Sequence, residues 1–284
     1  MMRRLTGAVL LILLISCARQ ARAACTFSVT AMPFGTYTDG EAALAGQATG
    51  SWTGNSCSGT WNIPLNAGIG KGATTTLRYM TGAATGFELQ YRVFQDAAHT
   101  QNWGNTSGVD EATGTTWTPV TFYGLITAGQ LPPPDTYTDT LNTATAHFTV
   151  SVTVAKACAI SASNLAFNTY VGLLIDSSST ISVTCTDTTP YTVGLSAGIG
   201  HNATVTNRLM SRGTPGAGVP TLGYKLCSDG PACATNWGNT AATNWVSKTG
   251  TGALQSLTVY GQLPAGTVPA AGNYSDTITA TITY

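Results

Sequence analysis

Three histidines, a set of cysteines and one glycine-rich turn are the residues of this 284-residue chain whose types could carry chemistry. His99, His147 and His201 have no Ser, Cys or carboxylate beside them in a nucleophile–base pattern, and no Gly-x-Ser-x-Gly occurs. Gly68-Ile69-Gly70-Lys71-Gly72 has the glycines and lysine of a phosphate loop but not the spacing Gly-x-x-x-x-Gly-Lys-Ser/Thr. A tight turn accounts for it. The acidic residues are scattered, so neither a calcium loop nor a catalytic carboxylate pair stands out. The expectation is therefore no catalytic residue, no cofactor and no metal site: not an enzyme.

The cysteines depend on the compartment. Arg3 and Arg4 precede an apolar run from Leu5 to Ser16, too short to span a bilayer, and Ala21-Arg22-Ala23 supplies a small-x-small cleavage pattern. Residues 1–23 read as a secretory signal peptide. A second reading stays open: Leu14-Ile15-Ser16-Cys17 resembles a bacterial lipobox, which would put a lipid on Cys17. No other stretch is apolar for long enough to cross a membrane. Cleavage after Ala23 removes Arg3, Arg4, Arg19 and Arg22 from the 12 basic residues, leaving eight against 12 acidic. Six cysteines remain, and an even set in an oxidising compartment reads as disulfides. With no Cys-x-x-Cys and no His near a cysteine pair, zinc is a poor alternative. Cys25–Cys57 and Cys158–Cys185 have similar spacings, 32 and 27 residues, so the simplest pairing adds Cys227–Cys233.

The elements that must position these residues come in two copies. Cys25, Phe34, Thr36 and Tyr37 recur at the same offsets as Cys158, Phe167, Thr169 and Tyr170. Leu65-Asn66-Ala67-Gly68-Ile69-Gly70 returns as Leu195-Ser196-Ala197-Gly198-Ile199-Gly200, and Arg78 and Met80 return as Arg208 and Met210. Asn102-Trp103-Gly104-Asn105-Thr106 matches residues 236–240, Tyr123-Gly124 matches Tyr260-Gly261, and Tyr137-Thr138-Asp139-Thr140 matches Tyr274-Ser275-Asp276-Thr277. The offset drifts only between 130 (Leu65 to Leu195) and 137 (Tyr137 to Tyr274). One domain is written twice, over residues 24–156 and 157–284.

Both copies read as strand. Only 8% of residues are charged, the net charge is zero, and Gly (32) and Pro (12) punctuate Thr- and Val-rich runs. A phosphate-neutralising nucleic-acid partner is excluded by the missing basic excess. Thr277 to Tyr284 alternates with period two, as do Phe148, Val150, Val152 and Val154 within 147–157. Ile181 to Cys185, Thr192 to Leu195 and Leu257 to Tyr260 are short strand-like runs. No helical period with a cap and a charged face appears. The class is all-β, two tandem sandwiches with Greek-key connections.

The Cys-x8-Phe-x-Thr-Tyr opening, the Ala-Gly-Ile-Gly turn, the Arg-x-Met pair and the closing Gly-x-Tyr-x-Asp-Thr strand resemble the spore coat protein U family, over nearly all of the chain beyond the signal. The first copy departs at Pro132-Pro133-Pro134-Asp135 and lacks the Cys227–Cys233 pair. That family is similar to the pilins of archaic chaperone–usher pili, immunoglobulin-like sandwiches that lack one strand and receive it from a neighbour. The resemblance implies a second domain without its last strand. It further implies a periplasmic pilus chaperone, an outer-membrane usher and a neighbouring pilin as partners.

A stalk pilin carries a donor segment before its first cysteine, and only Ala24 precedes Cys25 after cleavage. The expectation is a pilus-tip subunit, exported through the periplasm, which accepts a strand and offers none. Residues 147–157 lie where a donor segment of the second copy would sit. They either complete the first domain within the chain or continue its last strand into a linker. The groove of the second domain is expected at Ile278, Ala280, Ile282 and Tyr284. Attachment to a biotic or abiotic surface, and through it biofilm formation, is expected at Trp117, Leu131, Pro132 and Pro133. Trp52 and Trp103 also lie in turn-rich segments; Trp103 repeats as Trp237, which marks a packing role. The alternative is a structural cell-envelope or spore-coat protein without ligand specificity.

Overall fold

The structure, a computed structural model, describes residues 25–38, 43–54 and 57–284; the signal segment and Cys17 lie outside the described residues. The first half forms β1 (Thr26–Val29), β2 (Met32–Tyr37), β3 (Leu44–Thr53), β4 (Trp61–Ile63), β5 (Arg78–Gly82), β6 (Glu88–Phe94), β7 (Ala112–Gly114), β8 (Val120–Ile126), β9 (Asp135–Asn142) and β10 (His147–Val154). The second forms β11 (Cys158–Ala162), β12 (Ile175–Cys185), β13 (Pro190–Leu195), β14 (Arg208–Ser211), β15 (Thr221–Cys227), β16 (Val246–Thr249), β17 (Leu254–Leu263) and β18 (Ala280–Thr283). No helix occurs among the described residues, and so none long and apolar enough to cross a membrane.

In the first domain eight strands run in the order β1-β3-β8-β6-β5-β9-β10-β2, with β4 and β7 as a separate ribbon. The alternation that predicts strands also sets their faces. Phe148, Val150, Val152 and Val154 of β10 point inward while Thr149 and Thr153 stay exposed, and Leu89, Tyr91 and Val93 of β6 do the same. They meet one core with Trp103 and Phe122, whose rings stack at 3.6 Å. In the second domain a five-stranded sheet, β11-β12-β17-β15-β14, and a three-stranded one, β16-β13-β18, enclose a smaller core around Val183, Val193 and Trp237.

Cys25 is bonded to Cys57, Cys158 to Cys185 and Cys227 to Cys233. The second bond joins the directly opposed ends of β11 and β12. Each bond stays within its own copy.

The two halves differ at the place of β10. β10 runs antiparallel to β9 along its full length, from His147 opposite Asn142 to Val154 opposite Asp135, and parallel to β2, from Val150 opposite Met32 to Val154 opposite Tyr37. Both open readings of residues 147–157 meet in this strand. It continues from β9 through a short turn and fills the sheet between β9 and β2, while 155–157 lead on to Cys158.

Among the described residues the second domain has no such strand, and its flanks respond. The counterpart of β2, around Leu165 to Tyr170, forms no ladder. The long alternating strand expected over 277–284 shortens to β18, and the counterpart of β9 keeps one isolated bridge, Ser211 to Ser275. A strand needs a hydrogen-bonded neighbour to be one; the sequence pattern is there and the partner is not.

Candidate functional site

The absent strand leaves a groove of about 1030 Å³ between the segments 162–170 and 268–280. Its walls are Leu165, Phe167 and Tyr170 on one side and Tyr274, Ile278 and Ala280 on the other. Ile181, Leu226 and Val259, each nearly buried, line it together with the half-buried Met210 and Leu222.

The first domain is an internal control for each of these residues. Met32, Tyr37, Met80, Leu89, Tyr137 and Leu141 are all 0% exposed under β10. Their counterparts Leu165, Tyr170, Met210, Leu222, Tyr274 and Ile278 are only partly buried. The same side-chain types at the same places are dry in one copy and half wet in the other. One feature of the wall explains a repeated dipeptide: a Cβ on Gly124 would press into Met32 and Phe34, and one on Gly261 into Leu165 and Phe167. The Tyr-Gly pair is what lets these apolar side chains lie on the backbone of β8 and β17.

The repeated polar residues build a buried knot behind the groove. Arg78 is fully buried; its Nε and Nη2 donate to Asn66 O at 3.1 and 2.9 Å, and Nη2 also donates to Trp103 O at 2.8 Å. Arg208 repeats this on Ser196 O at 3.0 and 2.8 Å and on Trp237 O at 2.7 Å. Burial pulls the Arg78 guanidinium down to about 10, against the opposing pull of Tyr91 and Asp139. Asp139 accepts from Ile69 N (2.9 Å), Thr140 N (2.7 Å) and the Tyr91 hydroxyl (2.6 Å). Asp276 accepts from Ile199 N (2.8 Å), Thr277 N (2.7 Å) and the Tyr224 hydroxyl (2.7 Å). Burial, then the carboxylate, pushes both phenols up. Gly68 and Gly198, at φ of 86° and 89°, lie where a Cβ would collide with the Asp139 and Asp276 carboxylates. The glycine-rich turn is therefore the clamp of a buried aspartate, not a phosphate loop.

Asp276 is the one charged residue lining the groove among the described residues, and its carboxylate is already taken up by this knot. The groove sets apolar side chains among Ser, Thr and Asn, and apart from the Ser211–Ser275 bridge the backbone of 163–170 and 268–279 belongs to no ladder.

Of the four residues expected there, Ile278 and Ala280 line the groove. Ile282 does not: it is paired opposite Val193 inside the sheet. Tyr284 lines a separate shallow cleft with Tyr191, Trp245 and Lys248. Both face β13 because β18 has crossed to that sheet. Leu165, Phe167, Tyr170 and Tyr274 were missed, although the repeated Phe and Tyr positions already marked the last three.

The expected contact surface is split. Trp117 precedes β8 and Leu131 follows it, so they lie at opposite ends of that strand. Pro132 and Pro133 are buried and offer no surface, because the chain there is folded in under Tyr137, whose hydroxyl donates to Pro133 O at 2.7 Å. Leu131 is 39% exposed. Trp117 is half-buried, 5.8 Å from Trp52 in edge contact, with its indole N–H on Gly59 O at 3.2 Å. Trp103 is buried, as its repeat implies.

This fold, two tandem sandwiches of which only the first is closed, is that of chaperone–usher pilus subunits. The chain belongs to the Spore Coat Protein U domain family, which matches it twice, over residues 12–143 and 144–281. Protein U of Myxococcus xanthus is 32% identical over 158 residues, which is 50% of this chain and 86% of that protein. In fold the chain is similar to a subunit in the crystal structure of the CsuC–CsuE chaperone–tip adhesion subunit pre-assembly complex, from the archaic chaperone–usher Csu pili of Acinetobacter baumannii. That similarity has a TM-score of 0.52 at 18% identity and covers 92% of this chain and 100% of the other.

Proposed function

We propose that this chain is the tip subunit of an archaic chaperone–usher pilus. A periplasmic chaperone and then a neighbouring pilin lend a strand to the second domain, an outer-membrane usher passes the chain to the cell surface, and the first domain attaches to a surface and so supports biofilm formation. One observation carries this reading: β10 occupies in the first domain the place that stays open in the second. The strand that precedes the second copy is thereby used within the chain. The second repeat of the family match begins at residue 144, ahead of β10, which supports reading β10 as the segment that precedes the second copy. Surface attachment is assigned to the end of the first domain that carries Trp117 and Trp52, remote from the Tyr37 end at which β10 leaves for the second domain.

The test uses the first domain's own strand as a probe. A synthetic peptide of residues 147–154 added to the full chain should bind, suppress its aggregation and protect backbone amides at 165–170 and 274–280 from exchange. Ile278→Lys, which puts a charge on the groove wall, should abolish binding. A full chain that stays monomeric alone and ignores the peptide would sink the pilin reading in favour of an envelope protein without a strand-accepting groove.

A further inference from the structure

Four apolar side chains stand out of the second domain beside the groove: Val171, Leu173, Leu174 and Val268, exposed by 64, 67, 54 and 54%. They sit on two turns held together as one ridge. Gly266 N donates to Gly172 O at 3.1 Å, and the Tyr170 hydroxyl donates to Pro264 O at 2.8 Å. At Gly172 a Cβ would already meet Gly266 O, so the turns touch at the backbone. Tyr170 and Val268 also line the groove, so ridge and groove are continuous. A cluster of this kind, rimmed by polar surface, marks a contact site.

Its position names the occupant. β10 runs parallel to β2 and ends with Val154 opposite Tyr37. The counterpart of Tyr37 is Tyr170, so a strand lying in the second groove in the same sense leaves it at the ridge. In this chain three residues separate Val154 from Cys158, where the next domain begins. Those two residues can therefore lie at most about 14 Å apart. A donor that keeps this spacing must seat its body against the Tyr170 end. We infer that the Val171–Leu174 and Val268 ridge is a second contact surface, on which the globular body of the strand-donating subunit rests. This inference rests on the strand-accepting reading of the groove.

The first copy shows the contrast. Beyond Tyr37 its sequence is Thr38-Asp39-Gly40-Glu41, polar and acidic where the second copy has Val171-Gly172-Leu173-Leu174. There the following domain is joined covalently and needs no apolar area to stay. A neighbour held without a covalent bond does.

The test is the paired variant Leu173→Ser/Leu174→Ser, with Leu173→Met/Leu174→Met as a control that keeps the apolar area; neither leucine lines the groove. The full chain carrying each pair is expressed from its own locus. Affinity for the 147–154 peptide and release of the chain from purified pili on graded heating are then measured. The serine pair should bind the peptide within about twofold of the natural chain but leave the pili about tenfold faster, and the methionine pair should behave as the natural chain. Unchanged release of the serine pair, with peptide binding intact, overturns the ridge proposal and leaves the groove standing. Loss of the serine pair in the periplasm before assembly, with peptide binding intact, assigns the ridge to the chaperone and also overturns it. Failure of the natural chain to bind the peptide removes the groove reading, and this inference with it.

Discussion

Replacing Val150 and Val152 by Ser should open the first domain and make it resemble the second. The two side chains are 0 and 2% exposed, opposite Asp139 and Tyr137 on β9, with Val150 also facing Met32. Each exchange removes a buried isopropyl group, about 1.5–2 kcal/mol of transfer free energy. It also buries a hydroxyl among apolar neighbours, at about 1–3 kcal/mol. The pair therefore costs about 5–10 kcal/mol, comparable with the whole stability of a domain, about 5–15 kcal/mol. At a urea dependence of about 1–3 kcal/mol per molar, the first transition should move down by at least about 2 M or vanish. Hydrogen exchange resolves the two halves: amides of β9 should lose protection while those of β12 and β17, paired only with each other and with β11 and β15, keep it. Adding the 147–154 peptide should restore protection to β9. Equal protection of β9 in the natural chain and the double variant would refute the claim that β10 closes this sheet.

Gly68→Ala and Gly198→Ala should each destabilise their own domain by at least about 2 kcal/mol in thermal melts, since the Cβ meets a clamped carboxylate at a left-handed φ. Removing Cys25–Cys57 should cost about 3–4 kcal/mol, and removing Cys227–Cys233, which closes a far shorter loop, about 2 kcal/mol; denaturation of the paired Ala variants checks this. Asp135 is held below the usual carboxylate range: against desolvation, it accepts from Thr85 and Ala84 N–H and the Thr85 hydroxyl. Its contribution is therefore present above the unfolded value near 4 and lost as pH falls through the lower folded value. Asp135→Asn should flatten that acid limb in melts taken between pH 6 and 2. Trp117→Ala should weaken attachment of piliated cells to apolar surfaces with peptide binding at the second groove unchanged; collapse of the first domain in the same variant would make Trp117 a packing residue.

The fold was legible because the chain states it twice. Repeated Cys, Phe, Tyr and Trp positions gave two domains, and alternation at 148–154 marked a strand. Alternation alone failed at 277–284, where it describes side-chain facing and says nothing of a partner for the backbone. That is why Ile282 and Tyr284 were placed in a groove to which β18, paired with β13, contributes only Ala280. The polar knot was visible as residue types, Gly68, Arg78, Asp139, but not as one structure. Its members are separated by up to 71 residues and meet only through tertiary contacts, Asp139 with Ile69 and Tyr91 and Arg78 with the carbonyls of Asn66 and Trp103. Pro132 and Pro133 were misjudged because composition suggests a loop, while the loop itself is tucked under Tyr137. Trp117 and Leu131 are close in sequence, yet β8 carries the chain across the domain between them.

The two grooves share nearly the same walls: Met32 and Leu165, Phe34 and Phe167, Tyr37 and Tyr170, Tyr137 and Tyr274, Leu141 and Ile278. Side-chain complementarity therefore discriminates little between them. The tether discriminates. β9 and β10 are joined by four residues, and that turn is closed by Thr143 N on Ala146 O at 2.7 Å and by Ala146 N on the Thr143 hydroxyl at 2.9 Å. A strand so attached is present at its groove at an effective concentration of millimolar or more, whatever the concentration outside. A donor arriving from solution must displace it to enter the first groove, but enters the second by burying surface that is still half wet. Its four inward side chains alone are worth about 6–12 kcal/mol there, before the cost of ordering the strand is subtracted. Lengthening the 143–146 turn with a flexible Gly/Ser insert should erode this preference: the first domain would begin to take up free 147–154 peptide as the second does, and its stability would become dependent on peptide concentration. A first domain indifferent to both the insert and the peptide would show that β10 is held by its neighbours alone and that the tether contributes nothing.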